Sequence, residues 1–116
     1  MKMILRNIED VSKMLDKNLS KKIKDVIKDV PYQKLILFGS YSRGTNTQNS
    51  DIDLLLVTRK NILIRQKMDL ATRLRKQFAE KRMDVDVIIK NEQEIRDLQD
   101  KQGSIVYQAM REGIVL

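Results

Sequence analysis

Two carboxylates one residue apart, Asp51 and Asp53, open an apolar run that continues to Val57. In a strand, side chains two positions apart share a face and lie roughly 6.6–6.8 Å apart along it. Like charges at the edge of a buried strand are destabilising unless a cation lies between them. An all-oxygen donor set suits Mg²⁺ or Mn²⁺, and a Mg²⁺ site commonly borrows phosphate oxygens from its substrate. Ten residues separate Asp51 from Gly39-Ser40, where an earlier apolar run, 35–38, ends. Gly39 allows a sharp turn and a close approach to a ligand. Ser40 is expected to cap a short helical turn reaching about Gly44, its N–H groups facing an anion. The Ser40 hydroxyl and Arg43 would then contact phosphate, although Arg43 suits a structural ion pair equally well. A phosphate cradle followed by a carboxylate pair describes a nucleotide-handling site. The bland alternative makes Asp51 a loop cap and Asp53 a core acid paired with a lysine.

The string GSYSRGTNTQNSDIDLLLV, with Gly39, Ser40, Asp51 and Asp53 in the pattern G-S, ten residues, D-x-D, resembles the DNA polymerase beta-like nucleotidyltransferase superfamily. It is most similar to the small single-domain branch called minimal nucleotidyltransferases, and the likeness runs from about Leu35 to the C-terminus. The resemblance implies an α-β-α-β-α-β-α order around a mixed sheet. It implies transfer of AMP from ATP to an acceptor hydroxyl, with Mg²⁺ or Mn²⁺ held by the carboxylates. It also implies a partner, since many such proteins are encoded beside a HEPN-domain ribonuclease toxin and silence it by adenylylating a tyrosine.

Nucleotidyl transfer requires a bound triphosphate, charge on the reacting phosphate, and an acceptor that can lose a proton. Two metal ions stabilise both the attacking and leaving oxygens. A third carboxylate from a neighbouring strand would complete the cluster and help deprotonate the acceptor. Asp84 and Asp86 both qualify by position. The resemblance favours Asp86, because it precedes Val87-Ile88-Ile89 and then the polar NEQEI, the order found in the family. Ser50 is expected to shape the loop before Asp51. Ser42 has no assigned role, and Tyr32, Tyr41 and Tyr107 are expected to pack.

The elements that must position these residues follow from periodicity. Apolar side chains at Ile4, Ile8, Val11, Leu15, Leu19, Ile23, Val26 and Val30 recur in steps of three and four, predicting helix over 3–30. Either one long helix or two with a break near 18–20, Ser20 capping the second, is expected, and Pro31 closes the segment. Strands are predicted at 34–38, 52–57 and 83–89. Asn61 would cap a helix to about Glu80 whose core face carries Ile64, Met68, Ala71, Leu74 and Phe78. A short helix from Asn91 to 98 and another at 104–111 follow, and the apolar tail 114–116 should dock on the body. The expected fold is a single α/β domain over 1–116, a three-stranded, possibly four-stranded, mixed sheet flanked by helices. Its parts are a helical N-terminal segment (1–30), a catalytic core (34–89) and C-terminal helices (91–116).

The chain of 116 residues has no Cys and no His, which excludes disulfides, thiolate metal sites and imidazole catalysis. Neither a membrane-spanning run nor a signal peptide is evident, so a cytoplasmic location is expected. The net charge of +7 resides in residues 59–82, with nine basic and two acidic side chains. Such a block attracts nucleotide phosphates, nucleic acid or an acidic partner, or simply forms a solvated helix face. The absence of interleaved aromatics disfavours single-strand binding. The chain stops soon after its third strand, so a partner protein should supply the acceptor. The competing reading is a non-catalytic antitoxin that neutralises its partner by contact. Substituting Asp51 and Asp53 together distinguishes the two.

Overall fold

In a computed structural model, residues 6–7, 17–47 and 49–116 are described. Their order is β1 (Arg6–Asn7), α1 (Lys17–Ile27), β2 (Lys34–Phe38), α2 (Ser40–Arg43), β3 (Ile52–Thr58), α3 (Ile64–Glu80), β4 (Val85–Asn91), α4 (Glu92–Leu98), α5 (Ile105–Glu112) and β5 (Ile114–Val115). The expected α/β class holds. The three long strands fall where predicted, β4 two residues later than 83–89. Two short strands, β5 beside β2 and β1 at the outer edge, widen the mixed sheet from the expected three or four strands to the order β1-β5-β2-β3-β4. β2 runs antiparallel to β3 and β5, whereas β3 and β4 are parallel and joined by α3.

Alternation along the strands builds two cores. Leu35, Leu37, Ile52, Leu54, Leu56, Val85, Val87 and Ile89 pack with Ile23 and Ile27 of α1 and Leu74 and Phe78 of α3. On the other face Ile36, Phe38, Leu55 and Val57 meet Ala109 of α5, with Ile88 and Ile95 partly buried against them. Both faces of β2 and β3 are therefore covered, which explains their continuous apolar runs. Asp53 falls on the face of Leu55, and Asp86 on that of Ile88.

Several expectations change. Arg6–Asn7 pairs with Ile114–Val115 as strand, so the helical stripe does not extend through these two residues. The expectations at 3–5 and 8–16 lie outside the described residues. α1 runs unbroken from Lys17 to Ile27, so Ser20 caps nothing and there is no break at 18–20. α3 starts at Ile64 rather than being capped by Asn61, whose side-chain Oδ1 accepts a hydrogen bond from Asn91 Nδ2 instead. Ile64 and Met68 are 77% and 64% exposed, so the core face of α3 begins at Leu70. Helical spacing identifies residues that share a face, but not how far the neighbouring layer extends. By contrast, the short helices expected from Asn91 and Ser104 form there, with Asn91 as the cap of α4, accepting from the Glu94 N–H at 2.8 Å, and Ser104 as the cap of α5.

Candidate active site

The antiparallel register sets Asp53 opposite Phe38, and the parallel register sets Asp86 opposite Asp53. Gly39, immediately after Phe38, adopts φ 75°, ψ −154°, a region open almost only to glycine. A Cβ at this position would lie 2.3 Å from Asp53 Oδ2. The glycine thus does two things: it turns the chain out of β2, and it leaves the space that the Asp53 carboxylate fills.

Gly39, not Ser40, is the cap of α2, and its carbonyl accepts from the N–H groups of Ser42 and Arg43. Ser40 is the first helical residue, contrary to its expected capping role. Among the described residues its half-buried hydroxyl has no hydrogen-bond partner. No side chain caps α2; the buried Ser42 instead donates its hydroxyl back to Gly39 O at 2.8 Å, which fastens the turn. Ser50 shapes the loop as expected, its oxygen accepting from the Thr47 N–H. The Ile52 N–H then donates to the Asp84 carbonyl and ties the loop exit to β4.

Glu112, at the end of α5, joins the site without any forewarning in the sequence. Its Oε1 accepts from the Gly39 N–H at 3.1 Å, and Arg43 Nη1 donates to both carboxylate oxygens at 3.0 and 2.9 Å. Gln108 adds a further bond at 3.0 Å. Burial opposes ionisation of Glu112, but these donors outweigh it and hold its pKa below the ordinary glutamate value. Of the two roles open to Arg43, the ion pair is the one realised in this conformation. Gly113 makes the placement possible, since a Cβ there would lie 2.3 Å from Ala109 O and 2.4 Å from Ile36 Cγ2.

Burial pushes the Asp53 pKa up, and the carboxylates of Asp86, Asp51 and Glu112 add to the shift against the opposing charge of Arg43. Asp51 and Asp86 are exposed, and Arg75 Nε lies 4.0 Å from Asp86 Oδ1. A cleft of about 320 Å³ runs along Asp51, Arg75, Asp84 and Asp86. Among the described residues no three acidic side chains converge as a coordination cluster. Backbone register brings Asp53 and Asp86 face to face, and Asp51 adjoins them in sequence. Asp84, two residues earlier, precedes the strand and lies outside this pairing. The tyrosines pack as expected: Tyr32 and Tyr41 lie against the core, and the Tyr107 ring lies 5.2 Å from Arg111.

Residues 21–116 match the family model described as Polymerase beta, Nucleotidyltransferase. Over 54 residues the chain is 33% identical to a Methanocaldococcus jannaschii protein named as protein adenylyltransferase MJ0141, covering 47% of this chain and 54% of that one. A 25-residue stretch is 64% identical to MJ0604, similarly named and from the same organism, covering 22% and 25%. The chain therefore spans about half the length of these curated relatives at most. Among solved structures, a toxin–antitoxin complex with AMP-PNP contains a similar chain at TM-score 0.56 and 28% identity, covering 82% of this chain and 69% of that one. A nucleotidyltransferase structure from Sulfolobus solfataricus matches at TM-score 0.56 and 26% identity, covering 93% and 83%. The toxin–antitoxin MntA-HpeT matches at TM-score 0.55 and 29% identity, covering 88% and 72%.

Proposed function

The chain belongs to the polymerase beta nucleotidyltransferase family, and from that premise we propose that it transfers AMP from ATP to a hydroxyl group on a partner protein, as an antitoxin acting on a HEPN-type toxin. The observation that carries the reading is the position of Asp53, seated over Gly39 on one side and opposite Asp86 on the other. This joins the phosphate-facing turn to the carboxylates across a single strand. Similarity to proteins named as adenylyltransferases supports the chemistry, and similarity to a toxin–antitoxin complex with AMP-PNP supports the nucleotide and the partner.

Asp51, Asp53 and Asp86 would hold Mg²⁺ or Mn²⁺. The donor set fits, being all carboxylate, and a cation would favour the ionised form of Asp53 against the burial and, after it, the neighbouring carboxylates that raise its pKa. When bound, the ions supply Lewis-acid charge to the reacting phosphate. The remaining steps belong to the chain. Ser40, the backbone of the Gly39 turn and Arg43 bind the triphosphate and orient it, ending on the leaving pyrophosphate. The acceptor oxygen forms a bond to the α-phosphorus as the bond to the pyrophosphate oxygen breaks. Asp86, lining the open cleft, takes the acceptor proton.

The test is intact-mass measurement of the neighbouring gene's product after incubation with this protein, ATP and Mg²⁺. The expected result is an added AMP that Asp51→Ala/Asp53→Ala abolishes, a loss of at least about 10³-fold for removal of the charged centre. Exposed Leu63, Ile64 and Met68 beside Arg59 and Lys60 favour one competing reading, neutralisation by contact. That reading would appear as unmodified partner silenced equally by wild type and the double variant.

A further inference from the structure

Resting on the nucleotide-binding reading above, we infer that Glu112 is the positioning residue of the phosphate turn. It fastens the Gly39 N–H and Arg43 Nη1 so that Ser40 and the Nε and Nη2 of Arg43 face the triphosphate. Three observations carry this. The carboxylate spans two separate elements, accepting from Gly39 N–H at 3.1 Å and from Arg43 Nη1 at 3.0 and 2.9 Å. It grips only Nη1, so among the described residues Nε and Nη2 of Arg43 stay without partners. Gln108, one turn earlier on α5, braces the carboxylate at 3.0 Å.

The geometry has a clear physical purpose. Gly39 lies in a backbone region with no intrinsic preference for one orientation of its N–H, and Arg43 carries a long side chain with many rotamers. A charged acceptor at the end of a packed helix removes both freedoms before the nucleotide arrives. A guanidinium held by one nitrogen still presents a planar pair of donors to phosphate. The added negative charge is offset by Arg43 itself, whose side chain is 46% exposed against 20% for Glu112.

The test titrates AMP-PNP with Mg²⁺ into wild type, Glu112→Ala and Glu112→Gln by calorimetry, with KM for ATP and kcat measured on the partner protein. Glu112→Ala should weaken AMP-PNP binding about tenfold, the size of one charge-assisted hydrogen bond. KM should rise by a similar factor with little change in kcat. Glu112→Gln, which still accepts from the Gly39 N–H, should recover part of the loss. In an Arg43→Ala background, Glu112→Ala should cost much less, because most of its effect runs through that guanidinium. Unchanged binding in Glu112→Ala overturns the inference, and tighter binding overturns it in favour of a carboxylate that competes with phosphate. If Glu112→Ala fails to fold, Glu112→Gln decides: wild-type affinity there assigns the residue to stability alone. Wild type that neither binds AMP-PNP nor modifies its partner overturns the parent reading and this one together. Wild type that does both, with indifferent Glu112 variants, overturns this one alone.

Discussion

Gly39 shows how much a single residue type decides at this site. Its φ of 75° and ψ of −154° strain any side chain, and the space a Cβ would fill belongs to Asp53 Oδ2. Gly39→Ala should therefore destabilise the fold by about 1–3 kcal/mol from backbone strain alone, with an added cost for displacing the carboxylate. Thermal unfolding checks the first effect, and loss of Mn²⁺ binding checks the second. Gly39, Ser40, Asp51 and Asp53 were legible in the sequence because their spacing is local and their chemistry specific. Glu112 was not. It lies 73 residues from Gly39, in a helix whose sequence offers only a polar residue near a C-terminus, and no periodicity connects the two. Ser40 was read as the cap because serine favours that position, yet Gly39 occupies it and no side chain caps α2.

At the scale of elements, the strands were the most readable because burial on both faces leaves continuous apolar runs. Helix ends were readable only where the cap residue was free to act. Asn91 is such a case, accepting from the Glu94 N–H while its amide donates to Asn61. Asn91→Ala should lose about 1–2 kcal/mol from the cap, and the untied Asn61 should loosen the start of α3. Chemical denaturation measures the first, and faster amide exchange confined to residues 59–66 would register the second. Asn61 itself has a good capping side chain, but a partner from β4 claims it. Local preference was overruled by a contact thirty residues away. The same limit explains Ile64 and Met68, which keep helical step with Leu74 and Phe78 yet stay exposed where those two are buried.

For the whole molecule, charge links α3 and α4, which pack against different cores. Glu94 of α4 pairs with Lys67 of α3 and with Lys90 of β4 at 3.7 Å, and accepts from the Asn91 N–H at 3.2 Å. Burial opposes its ionisation, but these partners prevail and lower its pKa. A carboxylate with a depressed folded pKa contributes stability above its unfolded value and loses it as pH falls through the folded value. The stability gap between wild type and Glu94→Gln should therefore be full at neutral pH and close only below the ordinary glutamate range. Urea unfolding across an acid series measures this, and a gap independent of pH would remove the ion pairs as its cause. The described helices include none long and apolar enough to cross a membrane.

The order of the three long strands and the helices between and after them, the two-faced burial of β2 and β3, and the spacing of a glycine turn from two carboxylates were all determined by the sequence itself. They depend on period, residue size and charge within a dozen positions of one another. The resemblance favoured Asp86, but spacing leaves Asp84 and Asp86 on one face, and only the pairing of β3 with β4 sets Asp86 opposite Asp53. Tertiary structure alone brought α5 back over the turn, through the close contact that Gly113 permits, so that Glu112 meets Gly39 and Arg43. Such contacts depend on how separately encoded layers stack, and no local pattern records that.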